Sequence, residues 1–433
     1  MATKTLNQNI NQAINDFKGV KQAIIDKGVE IPSGTPTSEY GAKISEIQSG
    51  GSGGLDTSGI TNFNEFCINQ RIPIDCLGGL DTRSGTDFSY MFSGSSGLTT
   101  IPQLDTSNGT NFGYMFYNCT SLTTVPQLDT SNGTDFSYMF SGSSGLTTVP
   151  QLGTSNGTNF ERMFSGCSSL TTIPQLDTSN GTNFERMFSG CTSLTTIPQL
   201  DTSNGTRISF MFYGCSSLTE IPQLDTSKGT GFGYMFYNCT SLTTIPQLGT
   251  SNGTNFERMF SGCTSLTTIP QLDTSKSTNF TQMFLNCSSL AEVPQLNTSK
   301  GTAFERMFEG CKKLTEIPSL DTSKASQLSS TFRYCYELKT VELTSFAPTQ
   351  YAFDGCRSLE NLTVTGTITI NGNNYLDLSD STLLTVDSLL SVLNALADNT
   401  GKTTRTITLG STNLAKLTDE QKAIATNKNY TLK

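Results

Sequence analysis

The chain has 433 residues, a formal charge of -9, only 15% charged residues and no histidine. The missing histidine excludes Ser-His-Asp and Cys-His catalysis and every His-ligated metal site. The net negative charge argues against nucleic acid, whose phosphates need clustered Lys and Arg. No apolar run approaches the ~20 residues that span a bilayer. There is no GxxxxGK[ST] loop and no CxxC pair, so an enzyme would have to work with carboxylates alone, and nothing marks one. The expectation is a non-enzymatic protein with no cofactor and no metal.

The opening "MATKTLNQNINQ" is polar and lacks the apolar core of a secretion signal. Within residues 1–48, Leu6, Ile10, Ala13, Phe17, Val20 and Ile24 are spaced 4, 3, 4, 3, 4, the seam of a coiled coil. That seam suits attachment or self-association, for example as a trimer; an amphipathic helix packed on its own domain has the same pattern. A flexible Gly/Ser linker follows at 49–54, then an N-terminal capping repeat over 55–90.

From 91 to 340 the chain repeats itself. Met-Phe recurs ten times, from Met91 to Met307, without slipping from a 24-residue step. Residues Thr178–Asp201 return letter for letter at Thr250–Asp273. A fixed period of this size signals a solenoid whose units stack on one another. Phe184, Met187 and Phe188 stand at i, i+3 and i+4, which predicts a short helix, with Thr182 and Glu185 as a capping box and Gly190 ending it. Leu194–Leu200 predicts a short strand interrupted by Pro198, and Asp201–Gly205 a turn. One unit offers about seven side chains to bury, too few to order its own residues. Stability must come from stacking.

Comparing units separates fixed columns from drifting ones. A cysteine column runs from Cys119 to Cys356, with Ser95 and Ser143 standing in; free core thiols are the expectation. The aspartates (Asp105, Asp129, Asp177, Asp201, Asp225, Asp273, Asp321) give way to Gly153, Gly249 and Asn297, which favours turn formation over a calcium ladder. Thr99, Thr100 and Gln103 with their counterparts predict a flat polar ladder. The drifting column precedes Met: Tyr90, Tyr114, Tyr138, Arg162, Arg186, Phe210, Tyr234, Arg258, Gln282 and Arg306. On a helix it would point outward, as an exposed ridge of the residues enriched at binding hot spots or as a solvated ridge of Glu–Arg pairs.

Residues 341–433 read as degenerate repeats and a cap. Leu376-Asp-Leu378 aligns with Ile407-Thr-Leu409 at a spacing of 31, and helices are predicted near Val386–Ala397 and Thr418–Asn427.

The stretch "LDTSNGTNFERMFSGCTSLTTIP" resembles the BspA-like, Mycoplasma-lipoprotein-type leucine-rich repeats over roughly Leu55–Leu362, with Gly205 where that pattern prefers Val. The resemblance implies an α/β repeat solenoid, right-handed, with short strand, turn and short helix in each unit. The flanks, Ile10–Ile47 and the C-terminal module, resemble segments of phage tail-fibre proteins. Together they imply a virion fibre or adhesin, assembled in the host cytoplasm. Its partners would be itself, other virion proteins and a host-surface glycan or protein, without nucleic acid or membrane insertion. A bacterial surface adhesin and a structural head or tail decoration are the alternatives.

Overall fold

The computed structural model describes residues 57, 59–70, 80–325, 328–348, 351–370 and 375–433. The N-terminal seam from Leu6 to Ile24 and the linker at 49–54 lie outside the described residues. The chain forms two compact units, dividing between Asn204 and Gly205. Each is a repeat solenoid in its own right.

In the first unit the segment predicted as a helix is a run of overlapping β-turns. Met187 N–H bonds Phe184 O, Ser189 bonds Arg186 and Cys191 bonds Phe188, each at 3.1 Å. The alternate N–H groups leave the layer: Phe112 donates to Asp135 O, Tyr114 to Ser137 O, Phe116 to Met139 O and Asn118 to Ser141 O, at 2.8–2.9 Å. A helix would keep every N–H beyond its first four inside its own segment. Here half of them tie one layer to the next, which is why the i, i+3, i+4 pattern does not make a helix. The first and last turns of the run take positive φ at their third residue, which Arg186 (φ 57) and Gly190 (φ 76) supply, as Tyr114 (φ 59) does for its own first turn.

The expected capping box is replaced by an Asx turn. Asn183 Oδ1 accepts the Glu185 N–H at 3.1 Å, as Asp135 does for Ser137. The parallel pairing sits at this column too, in the bridges Asn111↔Asp135, Asp135↔Asn159 and Asn159↔Asn183. Leu194–Leu200, predicted as the strand, forms no paired strand; its interlayer bonding starts with Thr195 N–H to Thr171 O at 3.3 Å, and Pro198 has no N–H to carry a ladder further.

The core is a set of columns. Phe112, Met115, Phe116, Cys119 and Leu122 and their counterparts are fully buried. The first phenylalanines stack at 5.5–5.8 Å with nearly parallel planes. The glycine preceding them is demanded by this stack. A Cβ on Gly133 would lie 2.5 Å from Phe136 Cζ and 3.1 Å from Phe112 Cδ2.

The second unit repeats this construction and tests it. Ser277 occupies the glycine position there and is fully buried. The rings on either side, Phe256 and Phe280, stand 6.4 Å apart, while the adjacent pairs stand at 5.3 and 5.4 Å. One Cβ opens the stack locally.

True strands appear where proline stops. Glu342 stands 24 residues after Pro318; strand β1 (Thr340–Leu343) forms there and pairs in parallel with β2 (Asn361–Val364). Next come β3 (Leu376–Asp377), helix α1 (Val386–Ala395), β4 (Arg405–Thr408), the short α2 (Gly410–Leu414), α3 (Asp419–Thr426) and β5 (Tyr430–Leu432). Strands β3, β4 and β5 form one parallel sheet in that order. Leu376 faces Ile407 across it, the 31-residue correspondence legible in the sequence. Thr385 caps α1, and Thr418 with Gln421 forms a capping box on α3. Helix α1 packs on β2 and against α3.

Candidate functional site

The drifting column sits at the positive-φ position of the first turn in every copy, φ 52–59 from Tyr90 to Arg306. A residue with a Cβ pays about 1–2 kcal/mol for that conformation. The column is therefore fixed in direction and free in identity, but it is not the exposed ridge expected of a helix. Most of its side chains are half-buried; Gln282 is buried and Arg306 exposed.

In the first unit Tyr90, Tyr114 and Tyr138 stack face to face at 4.4 and 4.3 Å, and Arg162 lies over the Tyr138 ring at 5.0 Å. Tyr117 meets Tyr114 edge-on at 5.5 Å. The Tyr138 hydroxyl donates to Glu161 Oε1 at 3.0 Å, and Glu161 Oε2 accepts from Asn183 Nδ2 at 3.1 Å. Burial first, then the Tyr138 hydroxyl and the Glu161 charge, push Tyr114 up to about 12. These phenols stay neutral donors across the physiological range. Arg186 pairs with Glu185 at 3.6 Å.

In the second unit Phe210 stacks on Tyr234 at 4.6 Å, and Arg258 lies over Tyr234 at 5.2 Å. Arg258 also donates to the Tyr234 hydroxyl at 2.6 Å and to Gln282 Oε1 at 2.7 Å. Arg306 lies near Glu305 and Glu309 at 3.7 and 3.4 Å. Ring faces within the stacks are covered by their neighbours, so laying a sugar flat on them is ruled out for the inner members. What a partner meets is ring edges, hydroxyls and guanidinium groups.

The other columns hold the layers together. In the first unit Cys119 and Cys191 Sγ donate to Phe92 O and Phe164 O at 3.1 Å. Ser143 Oγ makes the same bond to Phe116 O at 2.6 Å, which explains how serine replaces cysteine without disturbing the period. Burial pushes the Cys191 thiol up to about 12. Eleven of the described residues are free, buried cysteines. Asp105, Asp129 and Asp177 each accept the N–H and hydroxyl of the serine two residues on. These are turn aspartates, and among the described residues no cluster of acidic, Cys or His side chains could hold a metal ion. The Gln column is a ladder: Gln103, Gln127 and Gln151 Nε2 each donate to the next glutamine's carbonyl at 2.6 Å. The buried hydroxyls of Thr106, Thr130 and Thr154 bond carbonyls 23 residues on.

One aromatic group in the second unit lies beyond the predicted columns, where Tyr351 (φ 64), just before Ala352-Phe353, continues the drifting one. Arg333 stands over Tyr334 at 4.4 Å and Tyr351 at 4.8 Å, Arg357 over Tyr336 at 5.7 Å, and Tyr375 meets Tyr351 edge-on. Tyr336 and Tyr351 are 37% and 44% exposed. The available signal was tyrosine entering degenerate copies where regular ones carry Gly310 and Lys312.

A family profile described as "Mycoplasma protein of unknown function, DUF285" matches residues 38–149, 146–247 and 230–346. The chain belongs to this family. The DUF285 match covers the stretch whose repeats resemble the Mycoplasma-lipoprotein type. Among solved structures, the T. pallidum leucine-rich repeat protein TpLRR is similar, at 20% identity over 45% of this chain and 78% of that one, with a TM-score of 0.27. So are the plant peptide hormone receptor RGFR1 in complex with RGF2 (10% identity, 74% and 49%, TM-score 0.27) and the GASSHO1/SCHENGEN3 ectodomain of Arabidopsis thaliana in complex with CASPARIAN STRIP INTEGRITY FACTOR 2 (11%, 81% and 53%, TM-score 0.20). The chain spans about half the length of the two plant ectodomains. No curated protein matches it. Among the described residues no helix is long and apolar enough to cross a membrane.

Proposed function

We propose that this DUF285 chain is a non-enzymatic binding protein whose stacked layers present the Tyr–Arg column as a repeated contact surface. The observation that carries the reading is a column that varies freely in side chain while its backbone holds one left-handed conformation. A contact repeated at one pitch gains avidity without a strong single site. Tyrosine edges and arginine are what such contacts use.

Two settings suit this activity. The flanks favour a phage fibre engaging a host-surface glycan or protein, with the 1–48 segment joining it to itself or to other virion proteins. The DUF285 match favours a BspA-like adhesin on a bacterial surface. Immunogold labelling of purified particles and of intact cells separates them.

Replacing Tyr114, Arg186 and Tyr234 together by asparagine, which tolerates positive φ, tests the binding surface. Adsorption of the labelled full-length protein to bacterial cells should fall at least tenfold with the melting temperature within a few degrees of wild type. Undiminished adsorption refutes the assignment.

A further inference from the structure

The sequence Thr-Ser-Asn-Gly recurs six times, with asparagine at positions 108, 132, 156, 180, 204 and 252. Asn-Gly is the dipeptide in which asparagine deamidates most readily, since glycine has no Cβ to hinder attack by its own nitrogen. Asn108, Asn132, Asn156, Asn180 and Asn252 are exposed, while the glycine after each is buried. The layers hold both reacting groups. Each of these glycine N–H groups donates to the threonine carbonyl three residues back, Gly109 to Thr106 and Gly181 to Thr178 at 2.8 Å, Gly133 to Thr130 at 2.9 Å. The asparagine amide is tied to the preceding layer: Asn108 Nδ2 donates to Arg83 O at 2.7 Å, Asn132 to Ser107 O and Asn180 to Ser155 O at 2.8 Å. Asn252 is held at both ends, its Nδ2 on Ser227 O at 2.9 Å and its Oδ1 by Lys276 Nζ at 2.8 Å.

We propose that these turns are self-modifying sites, which the stack keeps shut and an opened layer releases. In the reaction the Gly181 nitrogen, its proton taken by solvent base, attacks Asn180 Cγ. The bond from Cγ to Nδ2 breaks, ammonia leaves with a proton from water, and a five-membered succinimide closes. Water then opens either imide carbonyl to give aspartate or isoaspartate at 180, with no oxidation or reduction. The closed layer blocks attack twice. The nitrogen is buried and bonded to Thr178 O, and the amide it must reach is tied to Ser155 O. The rate therefore follows the population of opened layers.

The product cannot close as its parent did. An aspartate has only acceptors to set against the Ser155 carbonyl, and an isoaspartate adds a carbon to the main chain between two turns whose spacing the stack fixes. Each event weakens one seam between layers permanently, so that a transient opening becomes a lasting loss of stacked contacts. The mark uses no residue of the Tyr–Arg column and stands whether or not that column binds a partner.

The test holds the full chain in mildly alkaline buffer, with and without denaturant, and follows Asn180 by mass spectrometry of the tryptic peptide 163–186. Deamidation should run at least tenfold slower in the native chain than in the denatured one. Thr178→Val removes the bond from Thr178 Oγ1 to Asp201 O and leaves the reacting groups intact. It should speed the native reaction at Asn180 about fivefold, the weight of one such bond, and leave Asn252 in the other unit at its wild-type rate. Asn180→Asp, which installs one product directly, should lower the denaturant midpoint. The proposal is overturned if native and denatured rates agree, if Thr178→Val leaves the native rate at Asn180 unchanged, or if Asn180→Asp is as stable as wild type.

Discussion

Replacing Gly157 by alanine adds one methyl group at the tightest point of the phenylalanine stack. The new Cβ would lie 2.5 Å from Phe160 Cζ and 3.0 Å from Phe136 Cε2, whereas carbon atoms rest at about 3.5–4.0 Å. Gly157 does not have positive φ, so its backbone admits alanine and the penalty is packing alone. Ser277 shows the available relief: the Phe136–Phe160 separation should open from 5.7 Å towards the 6.4 Å of Phe256–Phe280. Overpacking of this kind costs about 1–3 kcal/mol, and the lower entropy of the unfolded alanine chain returns about 0.4–1 kcal/mol. The net expectation is a destabilisation of about 1–2 kcal/mol. Guanidinium titration followed by tyrosine fluorescence measures it on the first unfolding step. Unchanged or increased stability would show that the stack does not require glycine.

The buried thiols give a second outcome: Cys191→Ser should cost under about 1 kcal/mol, since serine retains the bond to the Phe164 carbonyl, and the eleven buried cysteines should resist alkylation at pH 8 until denaturant is added. Thr274→Val removes a formed interlayer bond and should cost about 1 kcal/mol, while Thr298→Val removes a hydroxyl with no partner and should be neutral or stabilising; equal losses in denaturant midpoint would refute this. Stability should also fall at both pH extremes. Burial raises Cys119, Cys191 and Cys263 from 9.0 to about 12, so the unfolded chain ionises first, and stability present below pH 9 is lost between pH 9 and 12. Serine hydroxyl and N–H donors lower Asp105, Asp129 and Asp273, and that contribution, present above their unfolded range, is lost as pH drops below about 4. A thermal-melt series across pH, compared with a multi-cysteine-to-serine variant at the alkaline end, checks both signs.

What the sequence made legible depended on whether a residue's role leaves a compositional mark. The period did, because ten Met-Phe pairs fix it. So did the Leu376–Ile407 register, through matching apolar positions, and the two helices near Val386–Ala397 and Thr418–Asn427. The helix was misread because Phe184, Met187 and Phe188 obey a spacing that consecutive turns also satisfy. The deciding feature, positive φ at Arg186, is carried by Tyr, Arg, Phe and Gln alike and writes no signature. The strand was misplaced because apolar, β-branched Leu194–Leu200 has the composition of a strand while Pro198 interrupts its row of donors.

Within each unit, interlayer bonds join groups 22 to 27 residues apart, each row keeping its own offset from copy to copy, so the chain measures distance in whole copies. Deleting or duplicating a complete copy leaves every bond with an equivalent mate, while losing a single residue misaligns a whole row. Letter-identical copies such as 178–201 and 250–273 are also the substrate on which recombination acts most readily. Reach thus becomes a heritable quantity that changes in steps, and a population could vary how many contacts it offers without reinventing any of them.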